Sequence, residues 1–197
     1  MYGKTFSALA VLLIIALGVG FFVWQTSRAE GKTYTNSVHA YELVYPAELD
    51  VKEYTDDIVT FGIVSEDSVE GYAEARIVTA QGEAGQTPED AVADQLKNLC
   101  AADGPTASFS CTNTLSIEPF TTANAEQGYV LMLEGELTQL ASSTSEIIPK
   151  GPYYVIPLAS SATISKVLVI APPLNMSAAE SDANLIRTIA ESVRLKQ

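Results

Sequence analysis

The side chains that could carry out chemistry are few and lie far apart in the sequence. His39 is the one histidine among 197 residues, and it stands just before a predicted strand. This position favours a surface or hydrogen-bonded structural role, with a general base as the alternative. Asp56-Asp57 and Glu66-Asp67 could bind a divalent cation, but adjacent residues of a strand point to opposite faces, so each pair converges only in a loop. Solvent exposure is the simpler interpretation of both pairs.

Two further motifs bear on catalysis and ligand binding. Ser142-Ser143 lacks the glycine pattern of a nucleophile elbow, so we do not expect it to supply the nucleophile of a hydrolase. Tyr153 and Tyr154 follow Gly151-Pro152 and could form the rim of a ligand site, although packing within a sheet is the simpler interpretation. From these residues we expect no catalytic residue, no cofactor and no metal ligand.

The two cysteines, Cys100 and Cys111, are 11 positions apart and enclose Gly104-Pro105. In an oxidising compartment, two cysteines at this spacing favour one disulfide, which would join a helix end to the following strand. Two buried free thiols are the alternative. A metal site would need further ligands, and His39 alone does not supply a cluster.

A long uncharged run occupies residues 6–24, with Lys4 just before it. As a helix this run of 19 residues would be about 28 Å long, close to the thickness of the hydrocarbon core of a bilayer. It is longer than the apolar part of a cleavable signal and ends in Trp24, an aromatic suited to the membrane interface. We therefore predict a retained transmembrane signal anchor, with secretion after cleavage near Ala29 as the alternative.

This anchor divides the chain into a short tail (1–5), a transmembrane helix (6–24), a polar linker (25–33) and one extracytoplasmic domain (34–197). Lys4 and the amino terminus on one side of the span nearly balance Arg28 and Lys32 on the other, so the charge rule is indecisive. Because the tail is too short to be a domain, we place the N-terminus inside the cell and residues 34–197 outside. The membrane is thus the first expected partner.

The chain is strongly acidic, with 24 acidic and 11 basic residues and a formal net charge of −13. Such a surface repels nucleic acids and anionic lipid headgroups. We therefore expect no nucleic-acid partner.

Apolar alternation and β-branched residues predict strands at 41–45, 58–64, 71–78, 114–120, 127–137, 153–158 and 165–171. Thr87-Pro88 supplies an N-cap and a proline suited to the first position of a helix. Ser177 with Glu180 forms a capping box before a C-terminal helix. Hairpin-rich strands around two helices predict an α+β fold in which helices pack against an antiparallel sheet.

Four short motifs stand along the predicted domain: Tyr41-x-Leu43-x-Tyr45-Pro46, Val59-Thr-Phe61, Thr87-Pro-Glu-Asp and Ile189-Ala-Glu-Ser-Val193. In these motifs the chain resembles the PsbP-like family, which includes the photosystem II subunit PsbP, the Ran-binding Mog proteins and bacterial membrane-tethered domains. The resemblance implies an α/β/α sandwich that serves as an accessory or binding scaffold. One departure is Ala40, where the family often has a glycine.

The expected function is therefore that of a membrane-anchored, extracytoplasmic accessory or protein-interaction domain without catalytic activity, with an envelope protein as its partner. The alternative is a tethered binding protein for a small ligand or a divalent cation. A third hypothesis is an unusual hydrolase that depends on His39 or a serine.

Overall fold

The computed structural model describes residues 31–64, 69–100, 102–103, 107–139, 144–160, 163–173 and 182–196. In chain order, the strands and helices within these ranges are β1 (Lys32–Asn36), β2 (Tyr41–Tyr45), β3 (Asp50–Thr55), β4 (Ile58–Val64), β5 (Val69–Gln81), α1 (Pro88–Cys100), β6 (Ala102–Asp103), β7 (Ala107–Thr121), β8 (Gln127–Gln139), β9 (Thr144–Ser160), β10 (Ile164–Ala171), α2 (Ala183–Glu191) and β11 (Arg194–Leu195).

These strands form two sheets. The larger sheet has eight strands in the order β3-β4-β5-β10-β9-β8-β7-β6, and the smaller one has the order β1-β2-β11. The pairings of the larger sheet are antiparallel, and so is the pairing of β11 with β2. The predicted antiparallel sheet is thus confirmed.

The central part of the larger sheet is buried on both faces, as β10 illustrates. Leu168 and Ile170 point into one core, which α2 and the smaller sheet cover, whereas Val167 and Val169 point into a second core beneath α1. An unbroken apolar strand is typical of a sheet covered on both sides, because alternate residues then all need apolar surroundings. The described helices therefore lie on opposite faces of the sheet.

The helix boundaries follow from capping residues. Thr87 accepts a hydrogen bond through its Oγ1 from the backbone N–H of Asp90 at 3.1 Å, which agrees with the predicted start of α1. Asp182 caps α2 by accepting hydrogen bonds from the backbone N–H groups of Asn184 and Leu185. The predicted capping box at Ser177 lies outside the described residues, and the described helix begins later, at Ala183.

A disulfide joins Cys100 to Cys111, with their Cα atoms 5.8 Å apart. It links the last residue of α1 to β7, as the spacing of the cysteines predicted. The C-terminal end of α1 is therefore attached to β7, the strand next to the β6 edge of the larger sheet.

The predicted transmembrane helix, residues 6–24, lies outside the described part of the chain. Within the described ranges, neither α1 nor α2 combines the length and the apolar character that a membrane-spanning helix needs. The predicted linker (25–33) also begins outside these ranges, and β1 starts at Lys32.

Candidate functional site

His39 and Asp57 form a joint between the two sheets. The Nε2 atom of His39 lies 2.7 Å from Oδ1 of Asp57, and the histidine side chain is 8% exposed. His39 belongs to the turn between β1 and β2, whereas Asp57 belongs to the turn between β3 and β4. His39 therefore makes a side-chain hydrogen bond, as the favoured structural interpretation predicted.

Asn36 connects the same two turns through hydrogen bonds. Its side chain is buried, accepts a hydrogen bond from the backbone N–H of His39 at 2.9 Å and donates one to the carbonyl of Asp56 at 2.8 Å. The amide thus holds both turns at once. Because a buried amide must find partners for its donors and acceptor, it fixes the two turns relative to each other.

Tyr34 and Tyr41 belong to the same polar network, because both phenols interact with the side chain of Asn36. The ring centroids of Tyr34 and Tyr41 lie 6.1 Å apart. Burial raises the pKa of the Tyr34 phenol, and the charge of Glu53 raises it further. Burial also raises the pKa of Tyr41. Both phenols therefore stay neutral at physiological pH and serve as hydrogen-bonding groups at the interface of the two sheets.

Replacing His39 with alanine is expected to lower the free energy of unfolding by about 1 kcal/mol, because the replacement removes a hydrogen bond to a carboxylate that is itself largely exposed. Urea unfolding of His39→Ala, Asp57→Ala and the double variant measures the coupling between the two side chains. Strictly additive losses would show that the 2.7 Å contact does not contribute to stability.

The candidate cation ligands do not converge in the described structure. Asp56 and Asp57 do occupy a loop, as the hypothesis required, but Asp57 is engaged with His39. Glu66 and Asp67 lie outside the described residues. Across the ranges that the structure describes, no three His, Cys, Asp or Glu side chains are grouped to hold a metal ion.

Tyr153 and Tyr154 pack within the core and do not form a rim. They are 2% and 7% exposed and point to opposite faces of β9. The ring of Tyr154 meets Phe120 edge to face at 4.9 Å between centroids. Burial raises the pKa of Tyr153 to about 12, and the charge of Glu74 adds to the shift.

This buried phenol makes stability depend on pH in the alkaline range. An unfolded tyrosine ionises near pH 10, whereas Tyr153 keeps its proton until about pH 12. Its contribution is therefore complete below pH 10 and is lost as the pH rises toward 12, at a rate of about 1.4 kcal/mol per pH unit.

Urea unfolding of the parent and Tyr153→Phe between pH 8 and about pH 12 tests this expectation, since phenylalanine keeps the ring but cannot ionise. We expect the variant to lose stability less steeply above pH 10. Identical slopes would contradict the assignment to Tyr153.

The described residues also form an open cleft of about 880 Å³, lined by Glu42, Asn124, Glu126, Arg194, Leu195 and Lys196. We call it the C-terminal cleft. Glu42 lies between two cations, 3.1 Å from Nζ of Lys196 and 3.9 Å from Nη1 of Arg194. The cleft therefore presents charges of both signs that partly neutralise each other.

The turn between β7 and β8 closes one side of this cleft by holding the C-terminal segment. Asn124 donates through Nδ2 to the carbonyls of Ser192 and Val193 at 3.2 and 3.1 Å. Glu126 accepts a hydrogen bond from the backbone N–H of Leu195 at 3.2 Å. These contacts satisfy carbonyls beyond the end of α2 and the outer N–H of β11.

The sequence interpretation did not identify these cleft residues. The one available signal is the alternation Arg194-Leu195-Lys196, which has the period of a strand. The partners of these residues are about 70 and 150 positions away in the sequence, so only the folded chain brings them together.

No protein-family model matches the chain, and no curated protein matches it in sequence. Among solved structures it is similar to a protein from Bacteroides thetaiotaomicron VPI-5482, with 16% identity, coverage of 85% of this chain and 49% of that chain, and a TM-score of 0.31. It is also similar to cyanobacterial PsbP (CyanoP) from Synechocystis sp. PCC 6803, with 13% identity, coverage of 83% of this chain and 91% of that chain, and a TM-score of 0.40.

Proposed function

We propose that this protein is a noncatalytic accessory domain that binds another protein at the outer side of a membrane. The observation that carries the proposal is the engagement of His39 with Asp57 as a joint between two sheets. Histidine is the side chain best suited to acid–base catalysis near neutral pH. Here the ring is 8% exposed and hydrogen-bonded between two turns, which leaves little access for a substrate and supports a scaffold over an enzyme.

The charged side chains of the C-terminal cleft support the same proposal. Glu42 pairs with Arg194 and Lys196, and Glu126 binds the backbone of β11. These groups hold the terminal segments of the domain in place. A rigid domain with paired polar groups is well suited to present a surface to a partner, because little of it must become ordered on binding.

Residues 6–24 are proposed to anchor the domain, with the N-terminus inside the cell. Their length and lack of charge support this assignment. Carbonate washing of membranes from cells that make the full chain is the test. An anchored chain stays in the membrane pellet, whereas complete release would contradict the anchor and favour cleavage near Ala29.

Cross-linking of the tagged full-length chain in intact cells tests the binding function. We expect one envelope protein to be captured in near-stoichiometric yield. Reproducible absence of a dominant partner, at a cross-linker dose that captures a known membrane complex in the same cells, would contradict the proposal.

A second candidate is the binding of a small zwitterionic ligand in the C-terminal cleft, which the volume of about 880 Å³ and the opposite charges of Glu42 and Arg194 favour. Thermal-shift measurements with amino acids, calcium and manganese test it. A shift that disappears in Arg194→Gln but persists in the control Lys52→Gln would support this candidate. The absence of any shift would count against it.

A further inference from the structure

The outer side of β7 is open over most of its length. On its inner side β7 pairs with β8 from Ala107 to Thr121. On its outer side, among the described residues, only the short strand β6 pairs with it, at Ser108 and Phe109. Among the described residues, the outward-pointing backbone N–H and C=O groups of residues 113–121 therefore pair with no strand. Another strand could form hydrogen bonds with them.

Apolar side chains project from this open part of β7. Leu115 is 50% exposed and Ile117 is 38% exposed. The register shifts between Thr114 and Ser116, so Leu115 has no partner residue in β8. At this bulge Leu115 is half exposed, so it adds apolar surface to the outside of the protein.

The stretch of sequence that contains β7 and β8 carries negative charge only. Between Lys97 and Lys150 the sequence has no basic residue, whereas the same stretch has the acidic residues Asp103, Glu118, Glu126, Glu134, Glu136 and Glu146. Lys150 itself is 5% exposed, with its ammonium group 4.4 Å from the centroid of the Phe109 ring. Ile117 pairs with Leu131, whereas Glu118 and Glu134 lie on the opposite face of β7 and β8. A partner strand beside β7 would therefore meet apolar side chains on one face and carboxylates on the other.

Other sheet edges in the described structure carry features that discourage pairing. At the opposite edge of the larger sheet, β3 carries Asp50, Lys52 and Glu53. At the edge of the smaller sheet, the carboxylate of Glu126 accepts a hydrogen bond from the outward-pointing backbone N–H of Leu195. Charged residues and covered backbone groups are common protections of edge strands.

Residues 107–117 of β7 lack charged side chains altogether. Two bulges and Pro119 do interrupt the regular backbone of β7. These interruptions prevent a long ladder, because a bulge disturbs the spacing of the backbone groups and proline lacks an N–H. A docked strand would therefore be short, and its side-chain contacts would matter more than its backbone pairing.

We propose that the outer side of β7 docks a short, extended, basic segment of the partner protein. Apolar residues of this segment contact Leu115 and Ile117, and its lysines or arginines approach Glu118 and Glu134. We call residues 113–118 together with Glu134 the docking edge. This inference rests on the proposed protein-binding function and adds the place and the chemistry of the contact.

The test uses the full-length chain in mild detergent and a fluorescent peptide of alternating lysine and valine. Fluorescence anisotropy measures its binding to the parent and to Leu115→Ser/Ile117→Ser. We expect the double variant to bind about tenfold more weakly, because two apolar anchors are lost. Ile63→Ser is the matched control, since Ile63 is 53% exposed but lies on β4, and its binding should equal that of the parent.

Charge reversal provides a second, independent measurement. Glu118→Lys should weaken binding of the lysine–valine peptide and strengthen binding of a glutamate–valine peptide. Glu83→Lys makes the same change in net charge at another exposed position and should alter both affinities much less. Equal effects of the two reversals would overturn the proposal in favour of a general attraction between the acidic chain and any polycation.

The proposal is overturned if the double variant binds as the parent does, or if a lysine–serine peptide binds as tightly as the lysine–valine peptide. In cells, photo-cross-linking from position 117 and from position 63 tests the docking edge separately from the proposed protein-binding function. Capture from position 63 alone would reject the docking edge but retain a protein partner. Capture from neither position would also reject the docking edge, and it would contradict the proposed function itself if cross-linking of the full-length chain captured no partner either.

Discussion

Replacing Gly62 with alanine is expected to lower the free energy of unfolding by about 3 kcal/mol, because an added methyl group has no space between β4 and β5. A Cβ at this position would stand 2.0 Å from the backbone oxygen of Glu70 and 2.8 Å from Cα of Gly71. Neither atom can rotate away as a side chain would. Relief of the clash therefore requires β5 to move away from β4, next to the fully buried Phe61.

Gly82→Ala is the matched control for this substitution. There the new methyl group would meet the Cβ of Ala91 at 3.3 Å, a much milder contact. Alanine also restricts the unfolded chain, which favours folding by about 0.4–1 kcal/mol in both variants. Urea unfolding compares the two proteins. An equal free energy of unfolding for both variants would show that β4 and β5 can move apart at Gly62 without loss of stability.

Removing the disulfide with Cys100→Ala/Cys111→Ala is expected to lower the free energy of unfolding by roughly 2–3 kcal/mol. The bridge closes a loop with a sequence separation of 11, so its loss releases conformational entropy in the unfolded chain. Cys100 is 2% exposed at the end of α1. We expect the C-terminal turn of α1 and the strand β6 to lose the most protection from hydrogen exchange.

Reduction of the parent protein gives an independent measurement of the same bond. Urea unfolding of the reduced parent should match that of the double alanine variant within experimental error. The variant itself should not respond to the reductant. If the oxidised and reduced parents unfold at the same urea concentration, the bridge does not stabilise the fold.

Strands with a strong local pattern could be predicted from the sequence. The alternation at Tyr41, Leu43 and Tyr45 gave the bounds of β2 correctly, and the proline after Thr87 gave the start of α1. In both places the local residue types agree with the surroundings that the fold supplies. Such agreement between local and global preferences is what makes a segment predictable.

Strands that depend on distant partners were missed. β3 has the sequence Asp-Val-Lys-Glu-Tyr-Thr and is largely exposed, because it lies at the edge of the larger sheet. β11 has only two residues and is defined by its pairing with β2. Neither strand has an apolar face that a sequence pattern could reveal.

The candidate site was only partly predictable for a related reason. His39 was identified because it is the one histidine, and its structural role was the favoured interpretation. Its partner Asp57 was considered as an exposed side chain or a cation ligand, and not as a partner of His39. The docking edge depends on which strand ends the sheet, and the order of strands in space is a property that local sequence does not encode.

The pairing of β11 with β2 bears on the biosynthesis of the chain. Arg194 lies opposite Glu42, so the smaller sheet needs residues from both ends of the domain. During synthesis β2 emerges early, whereas β11 becomes available only after the residues between the two strands have followed. Closure of the domain is therefore a late event, and a nascent chain arrested before Arg194 would remain open to proteases and chaperones.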